Sequence, residues 1–319
     1  MNRVPCVRVR PSEGEATRTE LAGRELLDPS RKITVEDGWL YIPVIEPPSA
    51  FEVEYRSPPQ RDRQTTPEDV LGFSPRYERI GDVALLDEDD PDRAAEIATA
   101  LCESDLPIES VLNRASKVKG ELRVRDWDVL AGDPITVHRE YGMGFELDLS
   151  AVYFSPRLAT ERHRVIEQVG ADERLLDMFA GVGPFVIPAA AKGATTVGVD
   201  LNSVAVDYLE RNAERNDVAA RVTAIEGDVR TIDYTGWADR LVMNLPHSAN
   251  EFLETAVRLA GDECWIHYYD IQHEDDPFGP GEAAIRDVAT EYDVTVEHEQ
   301  VVRSYAPHEL NVCLDVRLS

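Results

Sequence analysis

From about residue 150 onward the chain alternates short apolar runs with segments of helical spacing, and four of those runs finish in an aspartate or an asparagine. The runs "LLDMFA", "TVGVDL", "VTAIEGD" and "RLVMNLP" have strand length. Between or after them lie "SVAVDYLERNAERND", "NEFLETAVRLA" and "GEAAIRDVATEY", which carry apolar residues at helical intervals. Alternation of this kind admits few solutions, because a helix returning between parallel strands packs on the sheet in one hand. It predicts an α/β, doubly wound, mostly parallel sheet. "ECWIHYYDI" continues the series, and "TVEHEQVVRSYAP" with "NVCLDVRL" reads as a closing hairpin at one edge.

In such a sheet ligands lie at the carboxyl ends of the strands. "LLDMFAGVGPF" puts Asp177 at a strand end and follows it with Gly181 and Gly183 before a helix. Glycines there permit a tight turn and close approach of a ligand to the backbone. Asp200 stands at the tip of the next strand, suited to accept from ribose hydroxyls, and Asp228 at the tip of the one after. The fourth strand delivers Asn244 directly before Leu245-Pro246, so the proline ends the ladder and the asparagine is held extended at the crevice. Taken alone, that turn reads first as an Asx-type strand exit. A nicotinamide dehydrogenase would share the glycines, but Pro184 breaks the G-x-G-x-x-G spacing and no hydride-transfer acid follows the fourth strand.

Upstream, residues 1–46 read as a small α/β unit, with "CVRVR" and "WLYIPVI" as strands around a helical "EGEATRTELAGRELL". Residues 47–66, rich in Pro, Arg and Gln, have linker composition. Residues 67–149 form a second unit of strands around a helix over "DPDRAAEIATALCES", and 150–319 form the alternating domain. "VYFSPRLATERHRV" joins the last two units and brings Tyr153 and Glu161 close to the first strand of the sheet. On residue chemistry alone, Tyr153 is as well a core aromatic, and Glu161 with Arg162 a solvated helix pair.

The 319 residues hold 61 acidic and 33 basic side chains, a formal net charge of -28. A charge of that sign argues against nucleic acid unless it has another cause. The acids are spread along the whole chain and no tail concentrates them, which fits a surface adapted to molar salt and hence an extremely halophilic source. Cys6, Cys102, Cys264 and Cys313 are far apart, so neither a zinc site nor a disulfide framework is indicated, and no metal is expected. The N-terminal residues have no signal-peptide core, and no run is long enough to span a membrane. A cytoplasmic protein is expected.

The stretches "RYERIGDVALL", "GELRVRDWDVLAG", "HREYGMGFELDLSAVYFSPRLATER", "DMFAGVGPF" and "NLPHSANEFL" together resemble the archaeal and eukaryotic type of tRNA (guanine-37-N1)-methyltransferase. The resemblance runs from about residue 70 to the end, and the first unit is similar to the extra domain of one archaeal branch. It implies a class I methyltransferase domain with a Rossmann-like sheet, two smaller RNA-binding domains before it, S-adenosylmethionine as cofactor, and tRNA as partner. No obligatory protein partner, and a monomer, are implied as well. The first domain would touch the outer corner of the tRNA, and the second and third would clasp the anticodon stem-loop.

Residue by residue, the resemblance makes Arg123, or Arg125 two positions on, the contact to guanine O6. It makes Tyr153 the stacking aromatic, Glu161 the general base, and Asn244 with Pro246 the acceptor-side turn. Asp177, Phe179, Gly181, Gly183, Asp200, Leu201, Asp228, Val229 and Asn244 would form the cofactor pocket, while Arg125, Arg157 and Arg162 would bind substrate. The departure is the acidity, which leaves only local arginine clusters where the family shows basic patches. Two rival readings share the fold: transfer of the aminocarboxypropyl group of the same cofactor to a tRNA nucleoside, and non-catalytic tRNA binding. Should Glu161 prove structural, His247 is the next candidate base.

Overall fold

The computed structural model describes residues 3–61, 64–116 and 124–319. The chain divides into two compact units, Met1–Thr66 with Ser104–Leu106, and Pro67–Glu103 with Pro107–Ser319. In the first, strands β1 (Val4–Val9), β2 (Thr34–Glu36), β3 (Trp39–Pro43) and β4 (Val53–Arg56) form an antiparallel sheet in the order β2-β3-β1-β4. Helix α1 (Gly14–Gly23) covers it, and Val7, Leu21, Ile42 and Val44 close the core. Strand β4 lies inside the stretch 47–66 that composition marks as linker. Val53 packs on the core while Glu54 and Glu52 pair with Arg8 at 2.7 Å, so the alternation in "FEVEYR" outweighs the flanking prolines and the unit extends past residue 46.

The second unit starts with helix α2 (Pro67–Leu71), strands β5 (Glu78–Ile80) and β6 (Val83–Leu86), helix α3 (Pro91–Glu103), and strands β7 (Ser110–Arg114) and β8 (Trp127–Ala131). Their sheet runs β5-β6-β7-β8, with β6 and β7 parallel across the α3 crossover. Ala94, Ile97, Ala98 and Leu101, spaced three and four apart, form the buried stripe of α3.

Strands β9 (Ile135–Glu140) and β10 (Met143–Asp148) make a separate two-stranded ribbon, turning at Tyr141 and Gly142 with positive φ. The domain boundary expected at 149/150 does not isolate this ribbon from the residues C-terminal to it. Its backbone is tied to a helix far along the chain: Asn212 accepts from the Glu146 N–H at 2.7 Å, and Asn216 accepts from the Gly144 N–H at 2.9 Å. One buried cluster joins Val83, Leu112, Phe145 and Leu147 to Val182, Val186 and Leu209.

Helix α4 (Ala159–Glu167) leads into the main sheet, followed by β11 (Arg174–Asp177), α5 (Val186–Ala191), β12 (Thr195–Asp200), α6 (Ser203–Arg215), β13 (Val222–Glu226), β14 (Ala238–Met243), α7 (Leu253–Leu259), β15 (Ala260–His273), α8 (Gly279–Val288), β16 (Val294–Ala306) and β17 (Glu309–Leu318). The seven strands run β13-β12-β11-β14-β15-β17-β16; the first five are parallel and β17 is antiparallel to both its neighbours. Leu175, Leu176, Leu241 and Val242 in the central strands are fully buried, as a sheet covered on both faces requires. This is the Rossmann-like class I architecture the sequence predicts, with the terminal hairpin at one edge. No helix among the described residues is long and apolar enough to cross a membrane.

Candidate active site

The carboxyl ends of β11, β12, β13 and β14 open on one cavity of about 750 Å³. Asp177, Phe179, Gly181, Asp200, Leu201, Asp228, Val229, Asn244 and Pro246 all line it. The turn after β11 is fastened at both sides. Asp177 accepts from the Phe179 N–H at 3.1 Å, and Asp200, from the neighbouring strand, accepts from the Gly181 N–H at 2.7 Å. Gly183 does not reach the lining but is required behind it: at φ 92 a Cβ there would stand 2.4 Å from Leu209 Cδ1. Gly181 and Gly227 both have positive φ; a Cβ on Gly227 would meet nothing within 4 Å, and one on Gly181 only the Tyr153 carbonyl oxygen at 4.0 Å, so a ligand can approach their backbone closely.

Burial pushes the Asp177 carboxyl up to about 7 against the hydrogen bond from Phe179, with Asp200 adding repulsion. Asp200 is raised by burial too, although the N–H groups of Asn202 and Gly181 pull the other way. Asp228 behaves differently, held below the usual range mainly by the Arg230 guanidinium that grips both its oxygens. The pocket therefore offers two acidic tips, one buried at Asp177 and one partly exposed at Asp200, with an exposed Leu201 and the apolar Phe179, which meets Phe252 edge-on at 4.9 Å. A cationic ligand with ribose hydroxyls and a flat aromatic group suits that set, so the residues fit S-adenosylmethionine.

Tyr153, 37% exposed, lines the same cavity as the Asn244 turn. Asn244 follows the last residue of β14, and Pro246 is buried under it. Arg125 lines the cavity over the Trp127 ring at 5.4 Å, with burial and the neighbouring Arg114 lowering its basicity. Arg123 lies outside the described residues. Arg157 lines the mouth but is paired with Glu78 at 2.9 Å. Arg162, expected at the substrate, is 4% exposed; it grips Glu140 in two-point fashion and donates to the Ser155 carbonyl at 3.1 Å, which fixes the segment bearing Tyr153.

Glu161 departs most from expectation. It is not part of the cavity wall; it is buried, its Oε2 accepting from Arg164 Nε at 2.8 Å and its Oε1 from Arg164 Nη2 at 2.7 Å and from the Tyr269 hydroxyl at 3.0 Å. The same Arg164 donates to Asp315 at 2.5 and 3.1 Å. Asp315 meets His267 Nδ1 at 2.7 Å, and His267 Nε2 meets Arg240 Nη1 at 2.7 Å. A guanidinium only donates, so Nε2 accepts and the ring proton sits on Nδ1, facing Asp315. Burial lowers His267, while Asp315 is held well below the carboxylate range because His267 and Arg164 outweigh its own desolvation.

Among the described residues, His267, Cys313 and Asp315 form the one group of metal-ligating type, their ligand atoms within 4.8 Å of one another. Arg164, Arg240 and Gln168 already satisfy its nitrogens and carboxylate oxygens, so guanidinium groups supply the cations there. Sequence spacing gives no sign of this network, whose members lie up to 151 residues apart. It also misses Arg303 and Asn311, which line the cavity from the terminal hairpin.

Three family models match the chain in succession: the tRNA methyltransferase 5 N-terminal domain over residues 6–52, the TYW2 N-terminal domain over 63–135, and the TRM5/TYW2 methyltransferase domain over 136–297. The last begins with the β9–β10 ribbon, in keeping with its attachment to α6. The tRNA (guanine(37)-N(1))-methyltransferase Trm5b of Pyrococcus abyssi is 39% identical over 98% of this chain and 99% of its own length. Its crystal structure superposes with a TM-score of 0.73, covering 99% of each chain. The structure of aTrm5 with tRNALeu gives a TM-score of 0.72 at 30% identity, over 98% of this chain and 99% of that one. The tRNA(Phe) (4-demethylwyosine(37)-C(7)) aminocarboxypropyltransferase of Pyrococcus horikoshii is 32% identical over 79% of this chain and 92% of its own length. With matches that take in all three parts of the sequence, the chain belongs to the TRM5/TYW2 methyltransferase family, on the side of its archaeal Trm5b members.

Proposed function

We propose that this protein is an S-adenosylmethionine-dependent enzyme that methylates N1 of guanosine 37 in tRNA. The observation that carries the reading is the joining of the two acidic tips and the Asn244-Leu245-Pro246 turn in one cavity, in a chain similar over its whole length to Trm5b proteins. Methyl transfer is preferred to aminocarboxypropyl transfer because the relative named for the latter covers less of the chain, at lower identity. Labelled methyl groups should enter a transcript with guanosine at position 37 and not one with adenosine there; incorporation into both would sink the assignment.

Bound S-adenosylmethionine supplies an electrophilic methyl group. Asp177, Asp200, Asp228, Phe179, Leu201 and Val229 would hold it, with the Gly181 turn passing close to it. Tyr153 stacks on the target base, Asn244 meets its polar edge, and Pro246 stiffens that support. The N1 proton has to leave to a base for the N1 lone pair to become free to take the methyl group, which would part from the sulfur as the new bond forms. Arg125 or Arg123 donates to O6, where negative charge gathers.

Glu161 is the base in this reading, and its surroundings set a condition. An ion pair with Arg164 makes a carboxylate a poorer proton acceptor, so Glu161 acts by leaving Arg164 for the cavity. Asp315 keeps Arg164 neutralised when it does. His247 is the alternative, favoured by its place on the cavity wall, where it meets Tyr305 edge-on at 5.1 Å. General-base loss costs on the order of a hundred- to ten-thousand-fold in rate. Glu161→Gln should fall by that much in single turnover and His247→Gln should not; the reverse would move the role to His247.

The first unit binds the outer corner of the tRNA, and the rest of the chain holds the anticodon stem-loop. The domains divide into a tRNA-recognition part, an RNA-binding middle part and the methyltransferase part. The protein is a cytoplasmic monomer from an extreme halophile, its acidic surface keeping it soluble in molar salt. Full folding and activity in dilute buffer would contradict the halophilic origin.

A further inference from the structure

We infer that the β16–β17 hairpin carries a subsite for the ribose–phosphate backbone of the RNA beside the target base, with Arg303 donating to a phosphate and Asn311 accepting from a ribose 2′-hydroxyl. This rests on the tRNA reading above. Ile271 of β15 faces Asn311 of β17, which in turn faces Arg303 of β16, so the three form one row across the sheet edge, and all three line the cavity. Two residues along, on the same face, Tyr269 is paired with Cys313 and hydrogen-bonded to Glu161. The row is therefore next on that face to the tyrosine that holds Glu161. Arg303 also sits at a register shift in β16, a device that re-aims side chains beside active sites.

Two buried polar atoms in this row have no protein partner: Asn311 Oδ1, on a residue 3% exposed, and Arg303 Nε. Buried groups left unmatched are rare and call for an explanation, and on a cavity wall a ligand supplies one. Charge points the same way. Of the arginines that line the cavity, Arg114 is paired with Asp87, Arg157 with Glu78, Arg162 with Glu140 and Arg230 with Asp228. Arg125 and Arg303 have no carboxylate partner among the described residues, in a chain whose net charge is -28. A guanidinium spared such pairing is suited to phosphate. A phosphodiester has no proton for Asn311 to accept, but the 2′-hydroxyl of the same nucleotide has one, and it lies within the reach of a cross-strand neighbour.

The test uses the full chain and unmodified tRNA transcripts, with affinity measured over a series of salt concentrations. Arg303→Gln should weaken tRNA about tenfold and reduce the slope of log affinity against log salt by about one, while Arg303→Lys keeps the slope. A single 2′-deoxy substitution at the target nucleotide or one neighbour should weaken wild type several-fold and leave Asn311→Leu no weaker than it already is. Unchanged S-adenosylmethionine affinity in calorimetry certifies the fold of each variant. Wild-type affinity and salt slope in Arg303→Gln would overturn the inference, as would an Asn311→Leu that still senses every 2′-deoxy position. Variants that lose only thermal stability would make the two residues partners in holding the hairpin, and an Asn311→Leu that loses only discrimination between guanosine and inosine would make Asn311 a base contact; either result overturns the subsite. Methyl transfer by wild type is followed in parallel, so a protein that binds tRNA without methylating it fails the functional reading and leaves the subsite result intact.

Discussion

Replacing Asp177 by Asn should stabilise the cofactor-free protein, and only above acidic pH. Asp177 is 1% exposed and its carboxyl is pushed up to about 7 from an ordinary 3.8. In the unfolded chain it gives up its proton near pH 4, and in the fold near 7. Between those values the fold holds the extra proton, so Asp177 makes stability fall as pH rises through the window, and its cost is constant above it. At about 1.36 kcal/mol per pH unit, a rise from 3.8 to about 7 amounts to roughly 4 kcal/mol. Asn can still accept from the Phe179 N–H, so the turn survives. Urea unfolding of both proteins at fixed high salt from pH 5 to 9 reads the difference directly: about a third of its full size at pH 5, rising with pH, and largest and level beyond pH 8. Calorimetry should show the counterpart, since a cationic cofactor favours the ionised form: wild type releases a proton on binding S-adenosylmethionine near pH 6, and Asp177→Asn binds it more weakly without release. Equal stability at every pH, or a variant less stable throughout, would refute the reasoning.

Three further predictions concern the frame around the site. Asp200→Ala should weaken S-adenosylmethionine by roughly 1.5–3 kcal/mol in calorimetry and change tRNA affinity little; equal losses would make it a fold residue. Gly183→Ala combines a positive φ with an overlap on Leu209, so it should lower stability by roughly 2–4 kcal/mol in urea unfolding, and a neutral result would contradict the packing described. Asp315→Leu should cost roughly 3–5 kcal/mol because Arg164 and His267 lose their shared acceptor. His267 stays neutral in the fold but titrates near 6.5 when unfolded, so it contributes stability above pH 6.5 that is lost as pH falls below it, and His267→Gln should flatten that limb.

The strand tips were legible because each is local: an apolar run, a turn residue and an acid or amide within a few positions, as at Asp177, Asp200 and Asn244. Partnerships made across the chain were not. Glu161 and Arg162 are adjacent, and adjacent residues on a helix point apart, so neither pairs with the other. Glu161 takes Arg164 one turn on, and Arg162 takes Glu140 from the ribbon before it. The β9–β10 ribbon is held by Asn212 and Asn216, more than sixty positions away, which is why composition drew the boundary after it. Strand β4 was hidden by its proline-rich flanks. Asn311 did carry a signal, as a lone amide heading the apolar run "VCL" of a closing strand, but its meaning depends on which strand faces it.

The account is tested most directly by digesting a tRNA transcript to nucleosides after incubation with the protein and S-adenosylmethionine, and identifying the product and its position by mass spectrometry. N1-methylguanosine at position 37, lost when that guanosine is replaced, is the predicted result. An aminocarboxypropylated nucleoside, a methyl group at another position, or an unmodified transcript under conditions where both ligands bind would contradict it.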